Sequence, residues 1–298
     1  MSATIDTPVT RPERISARLV DDAELIARVK DKALFARAET VRLTGIAKTG
    51  HYASAFSCAE LLAALYYGDV MRLKRGEPRW ESRDRFLFGK GHAAIAQYPF
   101  LADYGFFDKS VLDQYTRLGN PLGDHPDMNK VPGVDFSSGS LGHALSAGLG
   151  MALAGRLNDL DYNVFVMLGD GEQHEGQVWE AALSAAHHRT GNLIAIVDRN
   201  EYSLDGKVDD VIGIEPVVDK WEAFGWNTID IDGHDVAQVL GALREATARA
   251  HDGVPTVIVA HTVKGKGIPY METEFGWHLG YLAPSDEERA LAHLRSNA

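Results

Sequence analysis

The chain has 298 residues, 45 % of them apolar, and a formal net charge of −12. That length can bury one large core and would permit two domains. An acidic balance argues against nucleic acid as a general partner, because phosphate-backbone binding rests on clustered Lys and Arg; a small phosphorylated ligand needs only local donors. No apolar run reaches the roughly 18–20 residues of a membrane span, and Met1–Val20 lacks the apolar middle of a signal peptide. A single cysteine, Cys58, excludes an internal disulfide and suits a reducing compartment. A soluble cytoplasmic protein with no membrane partner is expected.

In chain order, residues 1–20 read as a flexible arm. Asp21–Thr49 reads as a long helix with apolar positions at Leu25, Val29, Ala33, Ala36, Val41 and Leu43. Ser57–Tyr67 reads as a second helix, capped by Ser57 with Glu60 three residues on. "RFLF" (Arg85–Phe88) is a short strand leading into a helix over "GKGHAAIAQYPFLADYG". Ser137–Leu157 is a helix with a small-residue face, which lets other groups approach closely. The second half then alternates: strand 163–168, helix 176–189, strand 193–197, strand "NTIDID", helix 235–250 and strand Thr256–Val263. These strands are continuous apolar runs, as in a parallel sheet covered on both faces. The expected fold is one α/β domain over residues 21–298, a doubly wound, mostly parallel sheet with helices on both faces.

The stretch "VFVMLGDGEQHEGQVWEAAL" (164–183) ends a buried strand in an acid cluster. A zinc-protease helix needs His-Glu-x-x-His, and the second histidine is missing after His174-Glu175. A calcium loop needs Gly at its sixth position, where Glu175 stands. Magnesium with a diphosphate fits better. Asp170 follows strand 163–168 and Asn200 follows strand 193–197, so two hard oxygen ligands fall on the edge where such sheets bind ligands. Gly169 and Gly171 let the backbone approach an anion, and the helix after Glu175 offers a positive dipole end. The alternative is a glycine turn whose aspartate caps a helix.

"GDGEQHEGQVWEAALSAAHHRTGNLIAIVDRN" resembles the thiamine-diphosphate motif. "KTGHYASAFSCAELLAALYY", "RFLFGKGHAAIA", "GDHPDMNKVPGVDFSSGSLGHALSAGLGMALA" and "HTVKGKGIPYMETEFGWH" narrow the resemblance to the transketolase family over roughly residues 40–280. The resemblance implies the diphosphate-binding type of thiamine-diphosphate domain. It implies metal binding by Asp170, Asn200 and the carbonyl of Tyr202, with Mg²⁺ or another divalent cation such as Ca²⁺ or Mn²⁺. His92 and His278 would lie by the diphosphate and the reacting centre. His51 and His125 would face the hydroxyls and carbonyl of a sugar or sugar-phosphate substrate. Gly139 and Leu141 would line the cofactor, and Glu175 and Glu180 would sit at a subunit contact. His143 replaces the glutamine usual in "GxLGQ", and His174 stands where the family tends to be apolar; neither is assigned a catalytic role.

A full transketolase chain is considerably longer. The part with no counterpart here is the pyrimidine-binding domain, with the glutamate that activates the cofactor and most donors to the sugar phosphate. The chain therefore resembles the N-terminal subunit of a two-subunit transketolase, inactive alone and forming an α2β2 assembly with a separate C-terminal subunit. Alternatives are the α subunit of a 2-oxo-acid dehydrogenase, disfavoured by "GKGHA" and "TVKGKG", a deoxyxylulose-phosphate synthase, and a non-catalytic cofactor-binding scaffold.

Overall fold

The computed structural model describes residues 12–272 and 274–296. In chain order the elements are β1 (Arg14–Ile15), α1 (Ala23–Ala47), α2 (Tyr52–Ser57), α3 (Ala59–Tyr67), β2 (Arg85–Phe88), α4 (Tyr98–Asp103), α5 (His143–Leu157), β3 (Val164–Gly169), α6 (Gly176–His187), β4 (Leu193–Arg199), α7 (Val208–Ile212), α8 (Val217–Ala223), β5 (Asn227–Asp232), α9 (Val236–Ala248), β6 (Thr256–His261) and α10 (Pro284–Ser296). The six strands form one sheet in the order β1-β5-β6-β4-β3-β2, with every pair parallel.

The continuous apolar strands are explained by burial on both faces. Phe165 and Met167 of β3, with Ile194 and Ile196 of β4, pack against α1, α3, α4 and α9. Their alternate neighbours Val164, Val166, Leu168, Leu193, Ala195 and Val197 pack against α5, α6 and α8. Period-two alternation thus feeds two cores instead of one core and solvent. The small-residue face of α5 has a measurable purpose: a Cβ on Gly148 would lie 2.6 Å from a Val166 methyl carbon, so only glycine lets this helix come so near the sheet.

Some expectations are corrected. The expected arm lies largely outside the described residues, but Arg14–Ile15 adds an edge strand to β5, and Arg14 reaches Asp219 and Glu222 of α8. Ser57 caps no helix. Ser57 is the last residue of α2, the expected helix begins only at Ala59 as α3, and the Ser57 hydroxyl turns inward to Asp198, 2.6 Å away. The helix expected after β2 is a 3-10 run, Gly91–Ala96, followed by α4. The helix expected from Ser137 starts only at His143, because Gly142 adopts φ +84° and stops it extending backwards.

A buried ion pair ties the first helices together. Arg37 of α1 donates both terminal guanidinium nitrogens to Glu60 of α3, each at 2.6 Å, and also bonds the carbonyl of Phe56 at the end of α2. His234 donates from Nδ1 to Glu60 (3.0 Å) and accepts the Val263 N–H on Nε2 (2.9 Å). Burial acts to raise the Glu60 pKa, but the Arg37 charge and the His234 bond more than offset it, leaving it at about 2 against an ordinary 4.5. A carboxyl depressed on folding stabilises the native state above its unfolded pKa and loses that contribution as pH falls through its folded one. Stability should therefore drop by roughly 3 kcal/mol between about pH 4.5 and pH 2 on this account. In Glu60→Gln that share of the acid limb should vanish and stability at pH 7 should fall by about 3 kcal/mol. Urea unfolding across the pH range measures both.

Candidate active site

The C-terminal edge of the sheet gathers residues from distant parts of the chain. The register sets Gly169 of β3 opposite Asp198 of β4, so Asp170 and Asn200 leave adjacent strands at nearly the same level, as the sequence spacing suggests. Both are buried, at 2 % and 6 % exposure. Asp170 accepts the N–H of Gly171 (2.8 Å) on one oxygen and that of Glu201 on the other. Burial, then the Asp198 carboxylate, push its pKa up to about 7. A carboxylate held at that cost is one that a bound cation would stabilise strongly.

Asp198 lies behind them, fully buried. It accepts hydrogen bonds from Lys90, Ser57, Thr262 and the Asn200 amide nitrogen (3.1 Å). Burial alone would raise its pKa, but the Lys90 ammonium holds it below the ordinary carboxylate range. An ionised carboxylate can only accept, so it must face the NH₂ of Asn200. The Asn200 oxygen is thereby turned the other way, where it meets the N–H of Tyr202 at 3.2 Å. The loop 200–207 closes through Ser203 N to Gly206 O at 2.8 Å, and Lys264, 1 % exposed, donates to the carbonyls of Ser203 (2.8 Å) and Tyr202 (3.4 Å). Burial, then Lys90, lower the Lys264 pKa to about 8.

The four histidines converge. His51 precedes α2, His92 sits in the 3-10 run after β2, His125 lies in the loop before α5, and His278 follows the turn Phe275–Trp277. Ring centroids of His51 lie 5.2 Å from His92, 5.8 Å from His125 and 5.4 Å from His278, and His92 lies 5.3 Å from His278. Asp124 stands beside two of them: its Oδ2 is 3.0 Å from His51 Nδ1 and 3.6 Å from His125 Nδ1. The His51 approach is off the line of a good hydrogen bond, so it counts as charge proximity. Burial, with Lys90 nearby, places His92 well below the ordinary imidazole range; burial with Lys264 lowers His278 to about 3, and burial lowers His125. These three are neutral hydrogen-bonding groups near pH 7, not preformed cations.

The site contains polar atoms aimed at nothing in the protein. His278 Nδ1 and Ser138 Oγ are buried without a hydrogen-bond partner among the described residues. Buried polar atoms are ordinarily paired, so such a pair beside a histidine cluster marks a ligand cavity. The glycines shape it. A Cβ on Gly91 would fall 2.4 Å from Ser138 Oγ, and one on Gly139 would touch the His125 ring at 3.4 Å. Gly139 is exposed and Leu141 half-buried on the loop before α5. Glu175 and Glu180 are exposed at the start and middle of α6. His143 is exposed, and His174 bonds the Ile212 carbonyl through Nε2 at 2.7 Å, away from the histidine cluster.

Comparison with known proteins gives the family. The family described as transketolase, thiamine diphosphate binding domain, matches residues 31–294. The chain belongs to the transketolase family. It carries that family's thiamine-diphosphate-binding domain. It is 37 % identical over 258 residues to a subunit of the apulose-4-phosphate transketolase of Phocaeicola vulgatus, covering 87 % of this chain and 90 % of that one. It is 38 % identical over 255 residues to a subunit of the 6-deoxy-6-sulfo-D-fructose transketolase of a Clostridium species, covering 86 % and 92 %. The transketolase of Leishmania mexicana superposes with a TM-score of 0.82 at 28 % identity, over 90 % of this chain and 41 % of that one. Measured against such a transketolase, the chain spans about two fifths of the length.

Four polar groups of this candidate site escape a reading of the sequence: Lys90, Asp124, Asp198 and Lys264. Each lies in or beside a segment that carries the family resemblance, in "GKGH", "GDHP", "VDRN" and "VKGKG". Nothing in the spacing says that a lysine in a glycine-rich turn is buried, and that burial is what gives Lys90 and Lys264 their weight.

Proposed function

We propose that this chain binds thiamine diphosphate with a divalent metal at the C-terminal edge of its sheet and transfers a two-carbon ketol unit only together with a separate C-terminal subunit. The observation that carries the reading is the convergence of four imidazoles, with unpartnered His278 Nδ1 and Ser138 Oγ, beside the Asp170–Asn200 pair. Asp170, the Asn200 amide oxygen and the Tyr202 carbonyl suit Mg²⁺, or Ca²⁺ or Mn²⁺, because a hard cation takes oxygen donors and shares the diphosphate. Gly169, Gly171, His92, His278 and Lys264 flank the space for that diphosphate, and Gly139 and Leu141 line the side toward α5.

When bound, the cofactor supplies a nucleophilic carbon and stores the electrons of the bond that breaks. The chain's own groups position and polarise. A sugar carbonyl held among His51, His92 and His278 meets imidazole N–H donors where negative charge develops on its oxygen. His51 and His125, set by Asp124, address neighbouring hydroxyls. His278 is buried and His92 half-buried, which limits the access of water to the proton exchanges. Four imidazoles gathered on one cavity oppose the scaffold reading.

The subunit reading draws on length: the chain covers about nine tenths of two relatives named as transketolase subunits. A sugar or sugar-phosphate substrate, an α2β2 assembly with Glu175 and Glu180 at the contact, and a cytoplasmic setting complete the proposal. Among the described residues no helix is long and apolar enough to cross a membrane. Purified alone with thiamine diphosphate, Mg²⁺, a ketose phosphate and an aldose acceptor, the chain should show no turnover. Activity comparable to a complete transketolase, without any second polypeptide, would overturn the two-subunit reading.

A further inference from the structure

Glu172 follows the Gly-Asp-Gly turn and is 2 % exposed. One oxygen accepts the N–H of Gly142 at 2.9 Å, and the other accepts the N–H of Gly169 at 3.1 Å. Gly142 stands immediately before α5, and Gly169 is the last residue of β3. The end of β2 closes on the same carboxylate: a Cβ on Gly89 would fall 2.6 and 2.7 Å from its two oxygens. Three backbone segments therefore meet on one side chain. Each continues into residues of the proposed cofactor site: 89 into Lys90 and His92, 169 into Asp170, and 142 back into Leu141 and Gly139.

A buried carboxylate is a costly way to fill space, and a hydrocarbon of similar size would pack there without that cost. What a carboxylate alone offers at this size is two acceptor oxygens for two N–H groups pointing at it from different elements. One of those groups is at the N-terminal end of α5, where negative charge is favoured by the helix dipole. An amide could satisfy only one N–H and would turn its NH₂ against the other.

We infer that Glu172 is a positioning residue that clasps the N-terminus of α5 to the end of β3 and so sets the width of the cleft between the 139–142 loop and Asp170. The inference rests on the cofactor reading above. Opening the clasp moves the wall of the cleft away from its metal-binding floor, so cofactor affinity falls although no contact to the cofactor is removed.

The test is calorimetric titration of the chain, with its partner subunit present, using thiamine diphosphate and Mg²⁺. Glu172→Gln should weaken binding about tenfold or more, the loss of one charge-assisted bond, and Glu172→Ala should weaken it further. Amide hydrogen exchange over residues 139–142 should speed up in both variants while exchange in β4 and β6 stays as in the wild type. Should Glu172→Gln not fold, Gly89→Ala tests the same clasp by pushing on the carboxylate from β2. Folded variants with lowered melting temperature but unchanged cofactor affinity would overturn the inference and leave Glu172 a purely structural residue. A wild-type chain that fails to bind thiamine diphosphate would overturn the cofactor reading itself, which separates the two failures.

Discussion

Asp170→Asn should abolish cofactor retention: titration with thiamine diphosphate and Mg²⁺ should show binding weakened by about 100-fold or more. The substitution preserves shape but removes the one negative charge among the three proposed metal donors. Its effect on the fold is a balance, because the amide keeps an acceptor for only one of the two N–H groups, those of Gly171 and Glu201, that the carboxylate oxygens accept. Asp170 is buried beside Asp198 with its pKa pushed up to about 7, so at and above neutral pH its ionised form costs stability in the absence of a cation. Relief of that cost offsets the lost acceptor, so the variant should unfold within a few degrees of the cofactor-free wild type. Binding that survives in Asp170→Asn would show the metal assignment to be wrong.

Asp198→Asn should act on the fold and the site together. Lys90 is 2 % exposed and Asp198 is fully buried, so neutralising one partner leaves an uncompensated ammonium in the interior, a loss of about 3–5 kcal/mol. That is a large fraction of a typical folding free energy. Adding Lys90→Met removes the stranded charge, and the double variant should recover most of the lost stability. It should not recover cofactor affinity, because an amide at 198 can accept or donate and no longer forces the NH₂ of Asn200 toward it. Unfolding midpoints and calorimetry on the two single variants and the double one form the cycle that separates these roles. If the double variant binds cofactor as the wild type does, the orienting role of Asp198 is refuted.

Much of this architecture is legible in the sequence because it follows from periodicity and chain order. Apolar runs with no alternation at 164–168 and 193–197 mean a sheet buried on both faces, and consecutive parallel strands bring Asp170 and Asn200 to one edge. Glycine-flanked histidines resembling a known family do converge. The misses have physical causes. Arg14–Ile15 is too short to carry a pattern and becomes a strand only because β5 offers an open edge. Ser57 has the spacing of a helix cap, but Asp198, distant in sequence, is a stronger acceptor for its hydroxyl. The start of α5 is set by Gly142 and the Glu172 carboxylate, a contact between segments that no local rule encodes. Lys90 and Lys264 look like ordinary surface cations until the fold encloses them.

That enclosure has an electrostatic consequence. Beneath the histidines two ammonium groups, Lys90 and Lys264, are interleaved with two carboxylates, Asp170 and Asp198. With these four ionised their charges cancel, and Glu172, held by two N–H groups, adds one more buried carboxyl beside them. An unaccompanied diphosphate gains little there, and a lone metal ion is opposed by the lysines. Metal and diphosphate entering as one unit nearly cancel each other's charge and suit a floor whose own charges largely cancel. On the proposed cofactor reading, such a site should favour the assembled metal–cofactor pair over either component, and its affinity should respond only weakly to ionic strength.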